Sequence, residues 1–188
     1  QHPEEPCLVL ELLEPPDWQA LDPRNAICQI FHAVEHAHKQ NVVHLDIKLD
    51  NIMRHPATGL LKLIDFSVGT PADQRCTGFL GSLPFSAPEL LQDEPWCGKA
   101  ADVYSTGIVL AFLLNVQLLF QHVGWSVPIN SKLDDASERC YVFPRLQESV
   151  ATLVTDLVKT AGLGGKVCRV LIWPDPAKRP SAAEALRL

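Results

Sequence analysis

His44-Leu45-Asp46-Ile47-Lys48-Leu49-Asp50-Asn51, answered by Asp65-Phe66-Ser67, is the stretch whose reading decides the fold. Val42 and Val43 read as a short buried strand that delivers a polar loop, and Ile52 and Met53 resume the apolar run. Leu60 to Ile64 reads as a second strand ending at Asp65. The loop then presents Asp46, Lys48 and Asn51 together, with Asp65 arriving from the neighbouring strand. Two carboxylates, a carboxamide and an ammonium in one cleft suit a metal-bound phosphate. Oxygen ligands from Asn51 and Asp65 fit Mg²⁺, a hard ion that keeps few protein ligands. Asp46 is then placed to accept a proton from an attacking hydroxyl, and Lys48 to neutralise the phosphoryl group.

Further motifs follow in order: Ala87-Pro88-Glu89, Asp102-Val103-Tyr104-Ser105-Thr106-Gly107 and Asp175-Pro176-Ala177-Lys178-Arg179-Pro180. His44 to Asn51 resembles the catalytic loop of the protein-kinase family, and Asp65-Phe66-Ser67 its metal-binding turn. The later motifs resemble the end of that family's activation segment, its central helix and its last conserved turn. The resemblance covers most of the chain and implies an α+β, mostly helical large lobe with a few short strands around the catalytic loop. It implies ATP and Mg²⁺ as cofactors and a protein substrate. Asp46 takes the role of base, Lys48 that of phosphate clamp, and Asn51 and Asp65 those of metal ligands. His44 and Phe66 become structural members of the two motifs, and Ser82 bridges Asp46 and Lys48. Glu89 pairs with Arg179, a buried ion pair that is costly to half-break. Asp102 accepts hydrogen bonds from the catalytic-loop backbone.

The resemblance also sets an expectation about extent. The glycine-rich loop, strand lysine and helix glutamate of the small lobe have no room before the catalytic loop. Residues 1–188 are therefore expected to be one domain fragment, the hinge plus the large lobe without the small one. Cys7 to Leu10 reads as the last small-lobe strand, with Leu10 as gatekeeper. Glu11 to Pro15 reads as the hinge, carrying adenine on backbone groups around Glu11 and Leu13, and Met53 lies beneath the base. The Glu-x-x-Glu-Pro pattern is similar to the hinge of Pim-type kinases, where proline often stands at the Leu13 position. Leu13 restores an N–H that proline lacks. Calcium/calmodulin-type kinases share the His-Leu-Asp loop. Lys48, two residues past the base, is the serine/threonine arrangement.

Composition restricts the alternatives. A chain of 188 residues can bury a substantial single core, and 47% are hydrophobic. The longest apolar run, Ile108 to Leu114, is too short to span a bilayer. A net charge of −6 argues against nucleic acid and suits a basic protein substrate. Six cysteines, at 7, 28, 76, 97, 140 and 168, lack paired short spacings and read as free thiols of an intracellular, cytoplasmic or nuclear protein.

Asp22-Pro23 opens a helix as N-cap and first-turn proline, with Ile27, Ile30, Phe31, Val34 and Ala37 on one stripe and an end near Gln40. Inside it, His32-Ala33-Val34-Glu35-His36 matches the inverted zinc-peptidase pattern. No third ligand is identifiable, and a packing helix explains the same residues. Val68 to Ser86 lacks periodicity and reads as a loop carrying Thr70, Thr77, Ser82 and Ser86. Ala101 to Asn115 reads as a buried helix, apolar on nearly every face. A loop is expected near 122–145 and a helix over Gln147 to Thr160. Gly162 to Lys166 lacks the first glycine and the metal-binding hydroxyl of a phosphate loop and reads as a linker. A helix over Val167 to Trp173 follows, and Ser181 with Glu184 forms a capping box.

Leu45 stands where most kinases have arginine, and Ser67 where most have glycine. The base and metal positions are kept. The sequence is thus read as a serine/threonine kinase large lobe that alone is inactive, the alternative being a pseudokinase or scaffold without catalysis.

Overall fold

The computed structural model describes residues 9–92, 94–115 and 136–188, and in the helix that opens at Ala136 it describes side chains only at Arg145 and from Glu148 onward. Helix α1, Pro23–Lys39, starts where Asp22 accepts from the Asn25 N–H at 2.7 Å. Its buried stripe is Ala26, Ile27, Ile30, Phe31, Val34 and Ala37. Each large apolar side chain there contributes about 1.5–3 kcal/mol on burial, against roughly 1 kcal/mol for the cap. Packing therefore decides the helix and the cap only its start. Asn41 ends it with a left-handed φ of 61°.

Among the described residues, three two-stranded antiparallel ladders follow. Strand β2 (Ile52–Arg54) pairs with β3 (Leu61–Leu63), and β1 (Val42–Val43) pairs with β4 (Thr70–Pro71). Strand β5 (Arg75–Cys76) pairs with β6 (Trp96–Cys97). The segment expected to be plain loop, 68–86, is thus tied down at β4 and β5. Two-residue strands carry no readable alternation, so only the partner strands reveal them. Val9 and Leu10 lie in no strand and are 88% and 74% exposed; Cys7 and the start of that expected strand lie outside the described residues.

Helix α2, Gly98–Leu114, is buried on nearly every face and packs against α1, α3 (Ala136–Thr160) and α4 (Gly162–Leu171). Both later helices differ from expectation. The loop foreseen over 122–145 lies outside the described residues up to 135, and from Ala136 onward the chain is already helical. The glycines at 162–165 form the start of α4 rather than a linker. Gly162, at φ +55°, turns the chain, while a Cβ on Gly165 would lie 2.1 Å from the Leu157 carbonyl oxygen. Small residues are needed here because α3 and α4 cross almost backbone to backbone. The core gathers Val150, Leu153 and Leu157 from α3, and Cys168 and Leu171 from α4, around α2. Burial pushes the Cys168 thiol up to about 12. Cys28, Cys76, Cys97 and Cys168 are all free, and Cys7 and Cys140 lie outside the described side chains. The capping box at Ser181 and Glu184 opens the short helix α5, Ala182–Ala185. Among the described residues no helix is long and apolar enough to cross a membrane.

Candidate active site

The loop between β1 and β2 is held from below by Asp102, 1% exposed, in the second turn of α2. Its carboxylate accepts from the His44 N–H at 2.9 Å and the Leu45 N–H at 2.8 Å. A third contact comes from His38 on α1, whose Nε2 lies 2.9 Å from Asp102 Oδ2. His38 was not visible as a site residue in the sequence, where the neighbouring His32 and His36 fit a pattern and it did not. Its approach depends on the packing of α1 on α2. Among the described residues no cluster of three metal-ligating side chains exists, and Glu35 instead pairs with Lys39 at 2.9 Å.

Above Asp102, Leu45 has a left-handed φ of 66° and is 4% exposed, its side chain in the core. Such a backbone in a branched residue costs about 1–3 kcal/mol and persists only when its surroundings over-determine it. Two bonds to Asp102, one direct and one through His44, supply that constraint. His44 is oriented by its ring nitrogens: Nε2–H donates to the Ile64 carbonyl at 2.9 Å, and Nδ1 accepts from the Asp46 N–H at 3.3 Å. The ring also packs on Phe66, with centroids 4.5 Å apart. His44 thus connects the loop to the turn that carries Asp65.

Asp46 is the centre of the loop. Its Oδ2 lies 2.8 Å from Lys48 Nζ and accepts from Asn51 Nδ2 at 3.2 Å, while Asn51 also donates to the Asp46 carbonyl at 2.9 Å. Lys48 donates further to Ser82 Oγ at 2.9 Å. Ser82 follows Gly81, where a Cβ would sit 2.6 Å from the Leu45 carbonyl oxygen. Only glycine lets the segment approach the loop this closely. Asp46 Oδ1 is buried and has no hydrogen-bond partner among the described residues. An unsatisfied buried acceptor is costly, and Oδ1 is the carboxylate oxygen that Lys48 and Asn51 leave without a donor.

Asp65 reaches the same end of the β2–β3 hairpin, because the Ile64 N–H donates to the Asn51 carbonyl at 3.0 Å. Ser67 holds the Asp65 carboxyl below its ordinary range through its hydroxyl and then its backbone N–H, with smaller help from His44 and Lys48. The left-handed residue of this turn is Asp65, at φ 62°, and Ser67 has no positive φ. Ser67 therefore occupies a backbone that any residue adopts, and glycine is not required there in this conformation. A depressed carboxyl stabilises the fold above its unfolded pKa, and that contribution is lost as pH falls through the folded value. Ser67→Ala should raise the Asp65 pKa toward the ordinary range; an unshifted NMR titration of that carboxyl would show the hydroxyl to be idle. A carboxylate at Asp65 and a carboxamide at Asn51 are the hard oxygen donors that Mg²⁺ takes, so the donor set fits that ion.

The expected nucleotide-base residues sit at the edge of the same hairpin. Met53 opposes Lys62 across the ladder, and Lys62 donates to Glu11 at 2.7 Å. Glu14 exchanges backbone bonds with Arg54 at 2.9 and 2.7 Å and also pairs with its side chain. Leu13 is half-buried, and Leu10 is largely exposed to solvent. At the far end, Glu89 and Arg179 form a two-bond pair at 2.5 and 2.7 Å.

The protein kinase domain family model matches residues 16–188. Sperm motility kinase 3A of Mus musculus is 32% identical over 167 residues, 80% of this chain and 32% of that protein. Sperm motility kinase 2B of the same organism is 31% identical over 160 residues, 84% of the chain and 29% of the relative. The SNF-related serine/threonine-protein kinase of Rattus norvegicus is 32% identical over 133 residues, 70% and 17% respectively. The chain thus spans about a third or less of the length of these relatives. With the family model covering nearly all of it, the chain belongs to the protein kinase family.

Proposed function

We propose that the protein transfers the γ-phosphoryl group of ATP to serine or threonine hydroxyls of protein substrates, and that residues 1–188 are its hinge and large lobe. The observation that carries this is Asp46 Oδ1, buried and unpartnered among the described residues while Oδ2 is held by Lys48 and Asn51. A substrate hydroxyl donating to Oδ1 would pass its proton there as the oxygen attacks. Lys48, already on Ser82, stabilises the charge spreading over the transferred oxygens. Asn51 and Asp65 would hold Mg²⁺, which neutralises phosphate charge when bound. The small lobe is proposed to come from chain outside this sequence; the exposed Leu10, Leu12, Leu60 and Phe66 are the apolar surface it would cover.

The test is γ-labelled ATP with basic peptides that differ only in serine, threonine or tyrosine. A chain extended to include the small lobe should label serine and threonine peptides. Residues 1–188 alone should label none, because phosphoryl transfer depends on positioning by both lobes. Labelling of tyrosine would overturn the substrate class. A long chain that binds the peptide but transfers nothing would favour the scaffold alternative.

Activation should not depend on phosphorylation of the 65–89 segment. Leu45, where an arginine could grip a phosphate, is apolar and buried, and Arg75 is the only cation in that stretch. The segment is already tied by β4, β5 and the Trp96 Nε1–H donated to the Gly78 carbonyl at 3.1 Å. Alanine at Thr70 and Thr77 together should leave turnover of the long chain nearly unchanged. A loss of about tenfold, restored in the parent by phosphorylation, would contradict this.

A further inference from the structure

Away from the catalytic loop, the chain forms a cavity of about 390 Å³ between α2, α3 and α4. That volume lies in the range of roughly 300–1,000 Å³ occupied by small-molecule sites. Its floor is buried and mainly apolar, formed by Pro88, Tyr104, Val150 and Ile172. The exposed rim carries Lys159 and Arg169, and among the described residues no carboxylate lines it. In a chain of net charge −6, a rim bearing only cations runs against the average. Lys159 meets Asp156 at 3.2 Å, an exposed pair worth little. Arg169 instead lies 5.8 Å from the centroid of the Trp173 ring, and among the described residues no carboxylate pairs with it.

We infer that this cavity binds an amphiphile with one anionic head, a medium-chain carboxylate being the simplest case. The hydrocarbon body rests on Val150, Val154 and Ile172, and the head meets Arg169 and Lys159 at the mouth. Apolar burial supplies most of the affinity and the cations its orientation. The position gives the ligand a route to the rest of the fold. Pro88 precedes Glu89, Tyr104 lies 4.8 Å beneath the Arg179 guanidinium, and the Trp173 and Pro174 carbonyls accept from Arg179. A bound amphiphile therefore braces the walls that surround the Glu89–Arg179 pair and stabilises the folded chain.

Sodium dodecanoate below its micelle concentration, titrated calorimetrically into the 188-residue chain, tests this without reference to catalysis. Saturable one-to-one binding is expected, with a Tm that rises with ligand concentration. Arg169→Ala should weaken binding about tenfold, the size of one charge-assisted contact, and dodecanol should bind the parent more weakly by a similar factor. Val154→Trp, which fills the cavity, should abolish it; if that variant does not fold, the surface change at Arg169 still decides. Absent or non-saturable binding overturns the proposal, as does equal affinity for dodecanol or an unaffected Arg169→Ala. A response to an acidic, apolar peptide with none to dodecanoate would make the cavity a protein-docking site and equally overturn it.

Discussion

Asp46→Asn in a chain that includes the small lobe should lower the rate of phosphoryl transfer by about 10²–10⁴-fold, with the KM for ATP nearly unchanged. The substitution is close to isosteric, so Asn51 and Lys48 lose little packing. What disappears is a base: Oδ1 is buried, has no partner among the described residues, and is the atom proposed to receive the proton of an incoming hydroxyl. A carboxamide in place of this carboxylate cannot take the proton of that hydroxyl at either of its polar atoms. Lys48 is then left beside an uncharged group 2.8 Å away, although its bond to Ser82 remains. Steady-state kinetics separate the two effects, since in the proposed mechanism Asp46 acts in the chemical step and not in ATP binding. A rate within a factor of a few of the parent would remove Asp46 from the mechanism.

Arg179→Ala should destabilise the chain by about 3–5 kcal/mol, the usual cost of leaving one member of a buried ion pair alone. The Arg179 side chain is 0% exposed and that of Glu89 9%, so solvent screening reduces little of it. The guanidinium commits every donor: two to the Glu89 carboxylate, and one each to the carbonyls of Ala100, Trp173 and Pro174. It also lies over Tyr104, whose phenol burial pushes well above the ordinary range. Removing it strands a carboxylate and three carbonyls between α2, the 88–91 turn and the 173–179 turn. Lysine should not rescue the loss, because a single ammonium cannot reproduce the planar fork. Urea unfolding of the 188-residue chain measures the difference. A change below about 1 kcal/mol would place the pair among ordinary surface ion pairs.

What could be read from residues alone was whatever depends on neighbours in sequence. Asp22-Pro23 opens α1 where the cap and the apolar stripe agree, and the Ser181–Glu184 box closes on itself within four residues. The density of apolar residues over 101–114 required a buried helix. The loop from His44 to Asn51 has a spacing that brings Asp46, Lys48 and Asn51 to one side, and they meet within a few ångströms. Other features depend on contacts far apart in the chain, where no local pattern exists. Strands β4 and β5 exist only because β1 and β6 lie beside them. The glycines at 162–165, a linker by composition, are helical because only small residues let α4 cross the Leu157 backbone. His38 joins Asp102 across 64 residues of sequence, bringing α1 into the support of the catalytic loop. Local propensities choose the elements; the desolvation of groups such as Asp102 and Arg179, which must find all their partners at once, decides how those elements are assembled.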